Sequence, residues 1–357
     1  MLENESATST FANPSADPYL ASTLTSAGAY LPAFYAVGHA SNDNYTAMVS
    51  GQPPNLFNQT DCVDYLNFVG LVVNGIDQGL GCVYPTSINT IGNQLTNAGL
   101  SWKGYMEDMG NVPSREAAAC GHPGADAIDH TQDAVSGDGY ASRHDPFVYF
   151  SSITGDKAYC DSHVVALGSP TGAMPASALP GETGLTTDLK SVVTTPNYSL
   201  ITPNLCNDGH DFPCQNQPSG ASALADIDSF LHTWVPMITS SPAFKQDGLL
   251  LITFDEGSDS DTAACCNEMP GLGVLPPGLT GPGGGVIGAV ALSPFITPGT
   301  TSHVDYNHFS ALASFESIFD LARLGEARNV PQVFGTDVFT NPTGACSASA
   351  AVPWEQC

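Results

Sequence analysis

Residues 249–254, LLLITF, carry no charged side chain, and the run stops abruptly at Asp255 and Glu256. A strand apolar on alternate residues can leave one face in water, whereas one that is apolar throughout must be covered on both. That run therefore asks for a sheet with helices on its two faces. YLPAFYAV (30–37), the short WKGY (102–105), FVYFSSI (147–153), YSLITPN (198–204) and GVIGAVAL (285–292) read as further strands. Between them the apolar spacing turns helical. NYTAMVSG reads as a short helix closed by Gly51, and Ile88, Ile91 and Leu95 mark a second that stops at Gly99. Leu224, Ile227, Phe230, Leu231 and Trp234 share one face of a third that ends near Pro236. Leu312, Phe315, Ile318 and Phe319 mark a last helix, with Gly325 as its stop. The alternation predicts an α/β three-layer sandwich around a mostly parallel central sheet. No repeat or linker breaks it, so residues 1–330 are expected to form one domain. Residues 331–357 are expected to be a cysteine-stapled tail of that domain.

The 357 residues carry 35 acidic and 8 basic side chains, a formal net charge of −27. Such a surface repels phosphate backbones and anionic membranes, which excludes a sequence-independent nucleic-acid binder. No stretch is long and apolar enough for stable membrane insertion. Ten cysteines with so few basic residues fit a secreted protein. Their spacing suggests Cys206 with Cys214 and Cys346 with Cys357, then Cys62 with Cys82 and Cys120 with Cys160. Cys265 and Cys266 are left, either bridged to each other or paired elsewhere. No CxxC pair is present, which argues against a structural zinc site.

In an α/β sheet, ligands bind beyond the carboxyl ends of the strands. Asp255 and Glu256 stand at such an end, and paired carboxylates there suit a hard divalent cation. Ser41, in GHASNDNYTAMVSG, follows a strand and opens a helix, where free N–H groups favour anions. A serine there is by default an N-cap. Asp259 and Asp261 read as a solvated acidic loop. Glu107 and Asp108 follow a strand and offer weak support for a ligand role.

MLENES, GHASNDNYTAMVSG, SWKGYMEDMG, PNLCNDGHD, LLLITFDEG and YNHFS occur in the order seen in the bacterial phosphoesterase family. The resemblance runs from residue 1 to about 325. That family holds acid phosphatases and phospholipases C and belongs to the alkaline phosphatase superfamily, so an alkaline-phosphatase-like sandwich is implied. By the same resemblance Ser41 falls on the nucleophile, and Glu3, Asn4, Asp255 and Glu256 fall on ligands of a divalent metal. Asn44, Asp208 and Asp211 fall in segments expected to bind substrate, and His210 and His308 fall in the family's Asn-Asp-x-His-Asp and Asn-His elements; by its chemistry, one or the other histidine is expected to protonate the leaving group or bind a phosphoryl oxygen. Asp43 stands where the family has proline, which implies an extra negative charge beside the anion site. The implied function is a secreted metal-dependent phosphomonoesterase with a phosphoserine intermediate. Its substrate would be a small-molecule or lipid-headgroup phosphoester. With four arginines in the chain, an arginine clamp is not expected. A phospholipase C acting on phosphodiester lipids and an inactive binding module on the same fold are the alternatives. A serine esterase is disfavoured because the G-x-S-x-G elbow is missing. Only Met1 and Leu2 precede Glu3, too few for a strand, so this reading expects a β-rich run and a secretory signal upstream of Met1.

Overall fold

The computed structural model describes residues 1–214, 218–266, 268 and 283–344. The expected 30–37 strand is split into β1 (Ala29–Leu31) and β2 (Phe34–Tyr35), with Pro32, which has no N–H to add to a ladder, at the break. An antiparallel hairpin follows, β3 (Val69–Val73) and β4 (Ile76–Leu80). Its turn is Asn74–Gly75, both at positive φ (54° and 77°), the conformation that tight hairpins of this hand require.

β5 (Trp102–Met106), β6 (Val164–Ala166) and β7 (Tyr198–Thr202) form a parallel sheet in the order β6-β5-β7. β8 (Leu250–Thr253), β9 (Ala289–Leu292) and β10 (Thr300–Thr301) join β1 in a second sheet, β10-β1-β9-β8. There β9 runs antiparallel to both β1 and β8. The expected parallel sheet is thus parallel in one half and mixed in the other. β11 (Tyr306–Asn307) pairs parallel with β2 and leads into the last helix, His308–Ile318.

Residues 1–3 join the halves. The Met1 nitrogen donates to Ile201 O at 2.9 Å, Leu2 N–H donates to Thr253 O at 2.9 Å, and Asp255 N–H donates to Leu2 O at 2.8 Å. Side chains alternate across the sheet, and each face has its own core. Tyr105 packs with Leu185, Ile227 and Leu231 on one side, while Trp102 and Met106 pack with Ile91, Leu95 and Phe147 on the other. That is the α/β/α layering expected from apolar strands.

Three sequence expectations are corrected. FVYFSSI forms a 3-10 turn, Pro146–Tyr149, and a short helix, Ser151–Thr154. Its residues 147–150 are buried, and a buried helical turn has the same unbroken apolar run as a buried strand. The third helix, Ala223–Ser240, runs through Pro236. Burial of Leu231, Trp234 and Val235 against the sheet outweighs the one backbone bond that proline removes. The second helix, Ile91–Asn97, starts at Thr90, whose side chain accepts from Asn93 N–H in a capping box, so Ile88 lies outside it.

Disulfides join Cys62–Cys82, Cys120–Cys160, Cys206–Cys214 and Cys265–Cys266. The expected Cys346–Cys357 pair lies outside the described residues. No helix among the described residues is long and apolar enough to cross a membrane.

Asp17 shows how burial ties stability to pH. It caps Leu20 N–H at 2.8 Å, and burial, reinforced by Asp228, pushes its carboxyl up to about 8. Unfolded, it titrates at roughly 4. Between those values the folded chain keeps a proton that the unfolded chain has lost, so this group's contribution to stability falls as pH rises through the window. Asp17→Asn, which keeps an oxygen to cap Leu20, should flatten the fall in Tm between those pH values.

Candidate active site

Four chain segments meet where the sheet halves join. Glu3 follows the Met1–Leu2 seam, Asp208 lies in the loop after β7, Asp255 and Glu256 follow β8, and Ser41 opens the helix after β2. Backbone bonds fix the meeting. Glu3 N–H donates to Asp208 O at 2.9 Å, and Asn4, at φ 63°, turns its N–H onto Asp255 Oδ1 at 3.0 Å. Glu107 and Asp108 brace the loop carrying Asp208. Glu107 accepts from the Asn207 side chain and Asn204 N–H, and Asp108 from the Asn204 side chain. Asp261 similarly ties down the loop after Asp255 by accepting from Val286 N–H and from His39 Nε2.

Ser41 is not an N-cap. Ala40 holds that position, with extended φ and ψ, and Ser41 is the first residue of the buried helix Ser41–Ser50. Its hydroxyl donates instead to Glu3 Oε2 at 2.9 Å, while Tyr45 O–H holds Glu3 Oε1 at 2.7 Å. Asn44 folds the turn before the helix. Its Oδ1 accepts from Val37 and Gly38 N–H, and its Nδ2 donates to Gly38 O, Ala40 O and Glu256 Oε2. A Cβ at Gly38 would sit 2.4 Å from Asp43 Oδ2, so any larger residue there displaces the Asp43 side chain. Gly51, at φ 68°, ends the helix as its sequence position suggested.

The buried acids outnumber the cations beside them, of which Arg143 is one. Burial, then repulsion from Asp255 and Asp208, pushes Glu3 well above the usual carboxylate range. Burial raises Asp208, Asp255 and Glu256 as well. His144, from the Ser142–His144 turn, stands among them with Nδ1 3.1 Å from Asp208 Oδ2 and Nε2 3.5 Å from Glu3 Oε2. Burial, then the Arg143 charge, holds His144 well below its ordinary value and therefore neutral. With its one proton directed to Asp208, Nε2 presents a lone pair to a carboxylate. Nε2 and Asp255 Oδ2 are both buried without a hydrogen-bond partner. Ligand atoms of Glu3, His144 and Asp208 lie within 4.8 Å of one another. Carboxylate oxygens and an imidazole nitrogen gathered in a buried pocket are the donor set of a cation site, and an aspartate behind the histidine is a common second-layer support.

His144 has no place in the sequence reading, and nor does Arg143. The Arg143 guanidinium is buried beside the cluster, so one of the four arginines does stand at the site. It donates to His210 Nε2 at 3.0 Å, and His210 Nδ1 donates to Asp211 Oδ1 at 2.8 Å. Because arginine only donates, Nε2 accepts from it, so both ring nitrogens are engaged by Arg143 and Asp211 and neither is directed to a leaving group. His308 Nε2 donates to Asp255 O at 2.6 Å, and burial pushes its ring down to about 4. It supports the turn that carries the carboxylates. Burial works against the negative charge expected of Asp43. Burial, then Asp61 and Asp255, raises its carboxyl well above the usual carboxylate range.

A sequence model of the Phosphoesterase family matches residues 11–322. A phosphate-repressible acid phosphatase from Penicillium chrysogenum is 25% identical over 305 residues, 85% of this chain and 55% of the fungal protein. An acid phosphatase from Aspergillus fumigatus is 25% identical over 303 residues, 85% of this chain and 51% of its own length. The chain spans about half the length of these two relatives. A phosphatidylinositol-3-phosphatase from Mycobacterium tuberculosis is 24% identical over 337 residues, 94% of this chain and 80% of that protein. Among solved structures, an alkaline phosphatase superfamily protein from Vibrio parahaemolyticus superposes with a TM-score of 0.49 at 13% identity, over 94% of this chain and 70% of that one.

Proposed function

The chain belongs to the phosphoesterase family, and on that premise we propose that it is a secreted, metal-dependent phosphomonoesterase with Ser41 as nucleophile. The observation that carries this reading is the Ser41 hydroxyl, free of capping duty and donated to Glu3 inside a pocket of buried acids. The four disulfides in the described residues support an oxidising compartment.

Glu3, Asp255 and His144 Nε2 would hold the divalent cation, with Asp208 orienting His144 and with Asn4 and Glu256 at the margin. When bound, such an ion lowers the pKa of the attacking hydroxyl and draws charge from the phosphoryl oxygens. Ser41 Oγ forms a bond to phosphorus as the ester oxygen leaves, and Glu3 Oε2 receives the hydroxyl proton. Tyr45 keeps that carboxylate in place. Charge developing on phosphorus faces the amino end of the Ser41–Ser50 helix and the Arg143 guanidinium. Water then hydrolyses the phosphoserine. His210 takes part in proton transfer only if it releases Arg143, so its first role is to position the guanidinium.

The test is turnover of an aryl phosphate monoester and the matching diester, before and after chelation. Monoester turnover that is lost on chelation and regained with a divalent ion supports the reading. Full turnover by the metal-free protein overturns the metal assignment.

A second reading places the monoester on a lipid headgroup. The relative from Mycobacterium tuberculosis favours it, as does the hairpin face formed by Val69 and Leu71, 78% and 71% exposed. Equal turnover of a phosphorylated inositol headgroup free and in neutral vesicles would count against it.

A further inference from the structure

The β3–β4 hairpin forms a two-stranded sheet of its own. Residues directly opposite each other share a face, so the ladder sorts its side chains into two sets. Val72 and Asp77 turn inward. Val72 packs on the core that contains Val49, and buried Asp77 accepts from Asn55 Nδ2 at 3.3 Å. Val69 with Leu80, Leu71 with Gln78 and Val73 with Ile76 form the outer face. Of these, Val69, Leu71, Val73 and Leu80 are exposed.

Charge and size select what this face meets. Residues 65–101 hold one charged side chain, Asp77, and it is on the inner face. In a chain of net charge −27, the outer face therefore carries no acid of its own. At the tip, the exposed Arg328 donates to Asn74 O, and a Cβ on Gly75 would lie 3.4 Å from its Nη2. An apolar face edged by a guanidinium matches the boundary of a phospholipid layer, with aliphatic side chains among the upper acyl chains and the cation level with the phosphates. Strands of five residues make the face about 17 Å long and two strands wide. A stable protein complex takes about 800 Å² from each partner, more than this face offers. A second copy of the chain would also bring its own net charge of −27 to the contact.

We propose that the outer face of the β3–β4 hairpin is a docking surface for a zwitterionic phospholipid bilayer. Its connection to the site is short. The Cys62–Cys82 disulfide closes the base of the segment, and Asp61 Oδ1 accepts from Asn42 N–H at 3.0 Å. Asn42 follows Ser41, so a docked hairpin holds the start of the Ser41–Ser50 helix at a fixed place relative to the lipid surface. The docking surface bears on the lipid-headgroup reading and stands without it, because attachment needs no turnover.

The test is cosedimentation of the full chain with phosphatidylcholine vesicles in the absence of substrate. The parent should pellet with the vesicles, and the double variant Val69→Ser, Leu71→Ser should lower the partition coefficient by at least about 10-fold. Both positions are exposed, so that variant should keep Tm within about 2 °C of the parent and keep its turnover of a soluble aryl phosphate. In Leu71→Trp, which leaves the face apolar, brominated phosphatidylcholine should quench the added indole. A parent that stays in the supernatant, a double variant that pellets equally, or no quenching beyond that of the parent would overturn the proposal. So would a parent that is dimeric without vesicles and a double variant that is monomeric, which would give the face to a second copy. Binding is read without substrate, so its failure and the failure of the phosphatase reading are separate results.

Discussion

Ser41→Ala lowers kcat on an aryl phosphate by at least about 10³-fold and leaves Tm within about 2 °C of the parent. The first half follows from the position of the hydroxyl. It opens a buried helix and is held by a carboxylate, and alanine offers nothing to attack with. The second half follows from what Ser41 does not do. Ala40 occupies the cap position and Asn44 holds the turn, so neither helix nor turn depends on Oγ. Glu3 loses one donor but keeps Tyr45, and the seam that carries it is held by backbone bonds. A variant with near-parental turnover would remove Ser41 from the chemistry. A variant that has lost both activity and fold would show that the hydroxyl is structural.

Asp255→Asn should reduce bound divalent metal and turnover together, with affinity falling at least about 10–100-fold, the size of loss seen even when residues behind a ligand are changed. Asp255 Oδ2 is buried without a partner, and Oδ1 already accepts from the N–H groups of Asn4 and Glu256. The second oxygen is therefore the one open to an ion. Since Glu3 and Asp255 are both raised by burial in the metal-free state, binding should release protons, and the apparent affinity should fall as pH is lowered. Asp43→Asn is the contrast. Burial raises that carboxyl well above the usual range and it is not among the proposed ligands, so metal content should be unchanged. Titration calorimetry at two pH values reads both points. Equal metal affinity in Asp255→Asn and parent would exclude Asp255 as a ligand.

The Asp255–Glu256 turn and the Ser41 helix start could be read from the sequence because both are local. An apolar run, an abrupt pair of acids and a glycine-closed helix are each complete within a dozen residues. His144 could not be found that way. Its meaning lies in contacts with Asp208, 64 residues away, and with Glu3, at the other end of the described site. Arg143 was hidden for the same reason, and a count of arginines says nothing of where one is placed. The segment after them, PFVYFSSI, drew attention to strand-like apolarity and away from the polar pair before it. The β3–β4 hairpin did carry a local signal, Asn74–Gly75 between apolar residues, but its strands are exposed and so lack the buried pattern by which the others were recognised. The mixed half of the sheet was not legible at all, because strand direction is set by long connections rather than by side-chain pattern.

The central claim, covalent catalysis through Ser41, is tested most directly by mixing the metal-loaded parent protein with an aryl phosphate, quenching in acid within a single turnover, and mapping the phosphorylated peptide by mass spectrometry. Phosphate is expected on the peptide containing Ser41, at Ser41, and none on the same peptide from Ser41→Ala. Turnover without any trapped phosphate under conditions where hydrolysis of the intermediate is slow, or phosphate on another residue, would contradict it.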